Sequence, residues 1–159
     1  MNASDLTKTL AQMLLSRNWT VSLAESCTGG LVCATLTELA GSSEWFERGY
    51  ITYSNEAKTE CLDVPAELIE SHGAVSEPVA KAMAEGARIN SGSNVAISIT
   101  GVAGPSGGSA EKPVGTVCFG WATENQAHTK TMKFVGDRQM IRQQATEFAL
   151  AELIALLRS

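Results

Sequence analysis

The sequence lacks long apolar runs and basic clusters, and it carries little charge. Only 18% of its 159 residues are charged, whereas 44% are apolar. This balance excludes a disordered tail-like chain and a coiled coil, and it predicts a substantial core within a single domain spanning residues 1–159. The short apolar runs exclude a transmembrane helix. Because the opening segment has no basic stretch followed by an apolar one, we expect no secretory signal and a cytoplasmic location.

Acidic residues outnumber basic ones by 17 to 12, which gives a net charge of −5. This excess argues against a nucleic-acid or membrane partner, but not against a small phosphorylated ligand, which backbone N–H groups can bind. The cysteines form no CxxC pair, so we expect reduced thiols that lie mostly in the core. They are Cys27, Cys33, Cys61 and Cys118. The two histidines, without a nearby carboxylate cluster, argue against a metal site, and no cofactor is expected.

Hydrophobic periodicity predicts an alternation of helices and strands. Predicted helices span 4–17, 31–40, 56–62, 66–71, 76–91 and the segment from Asp137 to Leu157. Predicted strands span 19–24, 49–54, 94–100, 114–123 and 127–135. Expected N-caps are Ser4 or Asp5 for the first helix, Asn55 for the third and Ser76 for the fifth. The fold class is therefore α/β, a three-layer α/β/α sandwich with a mixed central sheet of about five strands.

Three polar loops follow predicted strands, where an open α/β sheet binds its ligands. The first, residues 25–30, places Ser26 before a helix that begins near two glycines. A hydroxyl there can face a ligand, and the N–H groups of Cys27, Thr28 and Gly29 could stabilise an oxyanion or bind phosphate. The alternative is a helix N-cap in a glycine-rich turn. Cys27 is a rival nucleophile, although a buried packing role suits it better.

The second and third loops offer a base and a phosphate cradle. Lys58 follows Asn55 by three residues, so both can share one face of a short helix, and a partly buried lysine can serve as a base for serine. Its alternative is a solvated surface lysine. The third loop, TGVAGPSGG (100–108), has glycines suited to close approach of a phosphate, or to a flexible surface loop. Arg138 and Arg142, four residues apart, could pair with a phosphate or with helix surface charges. A Ser-His-Asp triad stays open, although no GxSxG elbow is present.

The motifs together resemble the CinA C-terminal domain family. They are AESCTGG (24–30), AGSSEWFERGYITYSNEAK (40–58), HGAVSEPVA (72–80), ITGVAGPSGGS (99–109), KPVGTV (112–117) and GDRQMIRQQA (136–145). The resemblance covers most of positions 20–145 and implies an α/β/α fold without the larger N-terminal domain of some relatives. It also implies a metal-independent serine amidohydrolase that converts nicotinamide mononucleotide (NMN) to nicotinate mononucleotide and ammonia in pyridine-nucleotide recycling.

The resemblance also implies roles for individual residues. Ser26 would be the nucleophile, Lys58 its base, and Tyr53 would line the catalytic site, with Cys27, Thr28 and Gly29 as backbone oxyanion donors. The implied substrate-binding residues are Gly30, Asn55, Thr100, Gly101, Gly104, Gly107, Gly108 and Arg142, the last of them at the phosphate.

Two other functions remain open at this stage. One is a non-catalytic nucleotide-binding or competence-associated module, and the other is a hydrolase of another phosphorylated nucleotide. The last helix is apolar over more than one face, especially around residues 148–157, which suggests a partner surface. Together with the resemblance, this predicts a homodimer, with exchange of the C-terminal helix as one form of it.

Overall fold

The computed structural model describes residues 1–159. It contains five strands and six helices, in the alternation that the hydrophobic periodicity predicts. The strands are β1 (Val21–Glu25), β2 (Phe46–Ile51), β3 (Val95–Gly101), β4 (Thr116–Thr123) and β5 (Ala127–Lys133). The helices are α1 (Ala3–Arg17), α2 (Leu31–Thr37), α3 (Asn55–Leu62), α4 (Ala66–His72), α5 (Glu77–Ser91) and α6 (Arg138–Arg158). A short 3-10 turn, Ser42–Glu44, precedes β2.

The sheet has the strand order β2-β1-β3-β4-β5 and is mixed. Strands β2, β1 and β3 are parallel, whereas β4 is antiparallel to β3 and β5 is antiparallel to β4. The predicted α/β fold with a mixed sheet is therefore confirmed. Because β1, β2 and β3 run the same way, the loops that leave them meet at one edge of the sheet.

The two faces of the sheet are covered differently. On one face, α1, α2 and α6 enclose a cluster of 23 buried apolar residues that includes Leu23 and Ile97. On the other, α3, α4 and α5 enclose a cluster of eight. The strands present small side chains to α5, and a Cβ at Gly120 would lie 2.6 Å from the Ala80 carbonyl oxygen. Small residues on this face thus let α5 approach the sheet closely.

Helix α6 packs against both the sheet and α1, so its apolar residues are buried within one chain. Leu150, Leu153, Ile154 and Leu157 are all buried there. The ring of Phe148 lies 5.0 Å from that of Phe119 between centroids. The apolar character of α6 therefore needs no second chain, and the homodimer stays a prediction. None of the six helices is long and apolar enough to cross a membrane.

Local signals placed some boundaries correctly and missed others. Ser76 caps α5 and Gly92 ends it, as predicted. The N-cap of α1 is Asn2 rather than Ser4 or Asp5, and that of α3 is Ser54 rather than Asn55. Strand β2 begins at Phe46 and ends at Ile51, three residues earlier than predicted at each end. Strand β1 begins at Val21 instead of position 19, and α2 ends at Thr37 instead of position 40.

The cysteines only partly match the prediction. All four are free thiols, and Cys27 and Cys118 are buried. Cys33 is half-buried and Cys61 is exposed. The expectation that the cysteines lie mostly in the core is therefore wrong for Cys61, which faces solvent on α3.

Candidate active site

A cleft of about 220 Å³ opens where β1, β2 and β3 end. Its walls come from the loops that follow the three parallel strands, from the loop between α4 and α5, and from the start of α6. The lining residues are Ser26, Cys27, Tyr53, Asn55, Lys58, Ala74, Val75, Thr100, Gly101, Ala103 and Arg138. The strand ends thus bring together side chains that are far apart in the sequence.

Ser26 and Lys58 meet at the floor of this cleft. Lys58 Nζ lies 3.2 Å from Ser26 Oγ, within hydrogen-bond distance. Ser26 is 8% exposed and Lys58 only 1% exposed, so the pair is shielded from solvent. A serine hydroxyl beside a buried amine is the arrangement in which a lysine can accept the serine proton. The structure therefore brings together the two residues expected to act as nucleophile and base.

The Lys58 amine is held by main-chain carbonyl oxygens. It donates to the carbonyls of Thr52 at 3.2 Å, Tyr53 at 3.3 Å and Ser54 at 3.4 Å. Burial lowers the pKa of Lys58, because removal of water disfavours the charged ammonium, while Cys27 and Glu56 oppose the shift electrostatically. Lys58 is accordingly better suited than a surface lysine to accept a proton near neutral pH.

The loop after β1 carries two unpaired backbone donors next to the serine. The N–H groups of Cys27 and Thr28 donate no hydrogen bond within the protein, whereas the Gly29 N–H donates to the Ser26 carbonyl oxygen. Of the three expected oxyanion donors, Cys27 and Thr28 therefore keep N–H groups without an acceptor in the protein; Cys27 lines the cleft, whereas Thr28 is fully buried behind it. The Gly29 N–H instead closes the turn.

The Cys27 thiol is a poor candidate nucleophile. It is buried, and burial raises its pKa to about 12, so the thiol stays protonated at neutral pH. Its side chain joins the larger apolar cluster. The packing role that the sequence favoured for Cys27 agrees with this burial.

Glu25, which sequence reasoning overlooked, shapes the loop of residues 25–30 that carries Ser26, called the serine loop below. Its carboxylate is fully buried and accepts hydrogen bonds from the N–H groups of Gly30 at 3.0 Å, Val32 at 3.1 Å and Cys33 at 2.9 Å. Backbone donors at the start of α2 thus stabilise the carboxylate without a cationic partner. The Gly30 N–H is consequently engaged within the protein. The signal in the sequence was the acid that directly precedes the serine and the two glycines.

Tyr53 and the binding residues of the third loop take varied positions. The Tyr53 carbonyl oxygen accepts from Lys58, while its 61%-exposed side chain lies at the cleft mouth. Asn55 lies at the first position of α3 and lines the cleft. Thr100 donates to the Ala74 carbonyl oxygen at 2.9 Å, and Gly101 approaches β4 so closely that a Cβ would lie 2.7 Å from Val117.

The remaining glycines of that loop are not part of the cleft lining. A Cβ on Gly104 would lie 2.4 Å from Val114 Cγ1, and one on Gly108 would lie 2.7 Å from the Val114 nitrogen. Close contact with the chain before β4 therefore accounts for these two glycines, and Gly107 has a positive φ of 95°. The N–H groups of residues 103, 104 and 106–108 donate no hydrogen bond within the protein. The loop thus retains donors that an anion could use.

The two arginines of α6 are placed differently. Arg138 lines the cleft, and its guanidinium donates to the Gly104 carbonyl oxygen at 2.7 Å and to the Tyr53 hydroxyl at 3.4 Å. Arg142 is half-buried outside the cleft lining, and its guanidinium donates to the carbonyl oxygens of Cys27 and Thr28. The contact of Arg142 within this structure is therefore the serine loop.

The chain is an α/β protein with a serine–lysine pair in a cleft at the carboxyl edge of its sheet. The sequence model of the CinA C-terminal domain family matches residues 3–157. The chain therefore belongs to that family.

Two similar proteins match almost the whole chain. It is 52% identical over 149 residues to the nicotinamide-nucleotide amidohydrolase PncC of Escherichia coli strain K12, a match that covers 93% of this chain and 90% of that protein. It is 51% identical over 156 residues to the CinA-like protein of Syntrophobacter fumaroxidans, covering 98% of this chain. The chain spans only 37% of that longer relative.

Solved structures share the fold closely. The competence damage-inducible protein A of Klebsiella pneumoniae superposes with a TM-score of 0.96 at 39% identity, covering 99% of this chain and 98% of that one. The competence/damage inducible protein CihA of Agrobacterium tumefaciens superposes with a TM-score of 0.95 at 42% identity, covering 99% and 96%. The α/β/α arrangement is therefore the arrangement of this superfamily.

Proposed function

We propose that this chain hydrolyses the carboxamide of NMN to nicotinate mononucleotide and ammonia, in the recycling of pyridine nucleotides. The observation that carries the proposal is the buried pair of Lys58 Nζ and Ser26 Oγ, 3.2 Å apart at the floor of the cleft. The substrate is supported by the 52% identity to a nicotinamide-nucleotide amidohydrolase over 93% of the chain. The serine–lysine pair suits this reaction, because hydrolysis of an amide without a metal needs an activated nucleophile.

The first half of the reaction forms an acyl-enzyme. Ser26 Oγ attacks the carboxamide carbon while Lys58 Nζ accepts the serine proton. The N–H groups of Cys27 and Thr28 stabilise the oxyanion of the tetrahedral intermediate, and one such donor contributes about 3–4 kcal/mol. Lys58 then donates a proton to the amide nitrogen, the carbon–nitrogen bond breaks and ammonia leaves.

The second half of the reaction regenerates the serine. Water attacks the ester carbon with Lys58 as the base, and the carbon–oxygen bond to Ser26 breaks. The proton on Lys58 returns to Ser26 Oγ, and nicotinate mononucleotide is released. One water is consumed for each ammonia released, and no cofactor enters the cycle.

The phosphate of the substrate is assigned to the third loop and to Arg138. Backbone N–H groups of residues 103, 104 and 106–108 have no acceptor within the protein, and Arg138 lies at the cleft mouth beside them. Donors of this kind bind phosphate without a basic patch, which suits a chain with a net charge of −5.

We place the enzyme in the cytoplasm, because a phosphorylated nucleotide does not cross membranes unaided. A homodimer belongs to the same proposal, and light scattering tests it.

The test is ammonia release from NMN by the purified full chain. Ser26→Ala should abolish the activity and leave the fold intact, as checked by circular dichroism. Ser16→Ala, on the exposed side of α1, is the matched control and should keep full activity. Addition of a chelator should leave the rate unchanged.

Two results would contradict the proposal. Full activity in Ser26→Ala would eliminate the serine as nucleophile. Tight NMN binding without turnover in the wild type would favour a nucleotide-binding module. A panel of other phosphorylated nucleotides, scored for ammonia and for phosphate release, identifies a different hydrolase activity.

A further inference from the structure

The geometry points to Arg142 as a positioning residue that fixes the oxyanion donors after Ser26, instead of binding the substrate phosphate. This inference rests on the proposed function, since it assigns a role within the same site. Arg142 Nε donates to the Cys27 carbonyl oxygen at 3.1 Å, and Nη2 donates to the Thr28 carbonyl oxygen at 2.8 Å. The rigid guanidinium thus holds two consecutive carbonyls.

Peptide planarity carries the effect from the carbonyls to the donors. The Cys27 carbonyl and the Thr28 N–H belong to one planar unit and point in opposite directions. By holding the Cys27 oxygen, Arg142 sets the direction of the Thr28 N–H, which has no acceptor within the protein. In the same way, its contact with the Thr28 oxygen sets the Gly29 N–H, which donates to Ser26.

The loop needs such an anchor because its own residues are permissive. Gly29 and Gly30 have positive φ values of 56° and 104° and no side chain to restrict them. Glu25 anchors the N–H groups of Gly30, Val32 and Cys33, at the end of the loop that joins α2. Arg142 anchors the carbonyls nearer the serine. Together the two side chains hold both ends of the loop and leave the N–H groups of Cys27 and Thr28 for the reacting oxygen.

The two possible roles of Arg142 predict different kinetics. A phosphate ligand binds the ground state and the transition state alike, so its loss raises KM and matters only for a phosphorylated substrate. A residue that orients oxyanion donors acts in the transition state, so its loss lowers kcat whether or not the substrate carries a phosphate. NMN and nicotinamide riboside, which lacks the phosphate, therefore separate the two roles.

The experiment compares three alanine variants on α6 with both substrates. Arg142→Ala should lower kcat about 10- to 100-fold for NMN, since a misplacement of about 1 Å at a reacting centre costs up to about 100-fold. The ratio of kcat/KM between NMN and nicotinamide riboside should stay as in the wild type. Arg138→Ala should instead raise the KM for NMN. Arg158→Ala, at the exposed far end of α6, is the matched control and should change neither constant.

Two further measurements separate positioning from general loss of structure. Arg142→Lys keeps one donor and should retain more activity than Arg142→Ala, and added methylguanidine should restore part of the kcat of Arg142→Ala. Thermal unfolding by circular dichroism confirms that the variants fold. A raised KM for NMN with kcat intact in Arg142→Ala would overturn the inference, and so would a loss confined to NMN.

A substrate-independent arm keeps this inference distinct from the proposed function. A fluorophosphonate reacts when Ser26 Oγ displaces fluoride from phosphorus and the serine proton passes to Lys58, with the oxyanion donors facing the phosphoryl oxygen. Labelling, followed by intact mass, should be slower in Arg142→Ala than in the wild type and absent in Ser26→Ala. Failure of the wild type to release ammonia would reject the proposed function alone. Equal labelling rates in the wild type and Arg142→Ala would reject the positioning role.

Discussion

Replacement of Lys58 by methionine removes the proposed base, together with its hydrogen bonds to three main-chain carbonyl oxygens. The side chain is 1% exposed, and methionine has a similar length without the amine. In the native chain the amine lies 3.2 Å from Ser26 Oγ. Because burial lowers the pKa of Lys58, a larger fraction of this amine is neutral at a given pH than for a lysine in water. The variant therefore tests whether the neutral amine is what activates the serine.

The size of the effect follows from the groups that remain. Lys58→Met leaves the backbone donors of Cys27 and Thr28 in place, so the catalytic function that is lost is proton transfer. General acid–base catalysis contributes about 100- to 10,000-fold, and the rate should fall by that factor. At about 1.4 kcal/mol for each tenfold change, the barrier rises by about 3–5 kcal/mol.

The assay is kcat/KM for ammonia release from NMN, measured from about pH 6 to about pH 10. The wild-type value should rise with pH to a plateau. The midpoint of this rise should lie below pH 10.5, the ordinary pKa of lysine. Lys58→Met should show a low value without that rise. Lys81→Met, at an exposed position of α5, controls for the loss of one lysine and should match the wild type. A Lys58→Met enzyme with more than about a tenth of the wild-type rate would refute the reasoning.

Three further outcomes follow from burial and close contact. Cys27→Ser should keep ammonia release, and iodoacetamide at neutral pH should modify the exposed Cys61 but spare Cys27, whose pKa burial raises to about 12; prompt alkylation of Cys27 would contradict this. Gly86→Ala should cost about 1–3 kcal/mol in urea unfolding, because its Cβ would lie 2.0 Å from the Leu62 carbonyl oxygen; an unchanged midpoint would show that the backbone yields. Since the folded pKa of Lys58 lies below 10.5, its stabilising contribution is complete above that pH and is lost as the pH falls through the folded value. The free energy of unfolding should therefore rise with pH more steeply in the wild type than in Lys58→Met, and parallel curves would refute the lowered pKa.

The parts of the fold that the sequence predicted well are those with strong local signals. Helix α5 has a capping serine at one end and a glycine in the left-handed region at the other, and both ends were predicted correctly. Strand β2 was misplaced because it is an edge strand with a mostly exposed FERGYI sequence, which lacks the apolar signal of a central strand. Exposure at the edge of the sheet removed the pattern on which the prediction depended.

The candidate site likewise has parts that the sequence predicts and parts that it does not. Ser26 and Lys58 could be predicted to meet because parallel strands carry their loops to a common edge. The contacts of Glu25 and Arg142 could not be predicted: the position of Glu25 before Ser26 was a signal, but it does not show that the carboxylate is buried. An acid beside a serine looks like a surface charge, yet Glu25 is fully buried. Arg142 reaches carbonyls that are more than a hundred residues away in the sequence.

The reversal of strand direction between β3 and β4 divides the site into a structurally fixed half and an adaptable half. Antiparallel neighbours need only a simple return, whereas parallel neighbours need a crossover through a helix. The segment 102–115 leaves and re-enters the sheet between two paired strands, so the length of its tip can change without disturbing the register, whereas Gly104 and Gly108 are fixed by their close contact with Val114. Ser26 and Lys58 follow parallel strands and are tied to helices. Substrate preference can therefore diverge by exchange of one loop while the reacting pair stays in place.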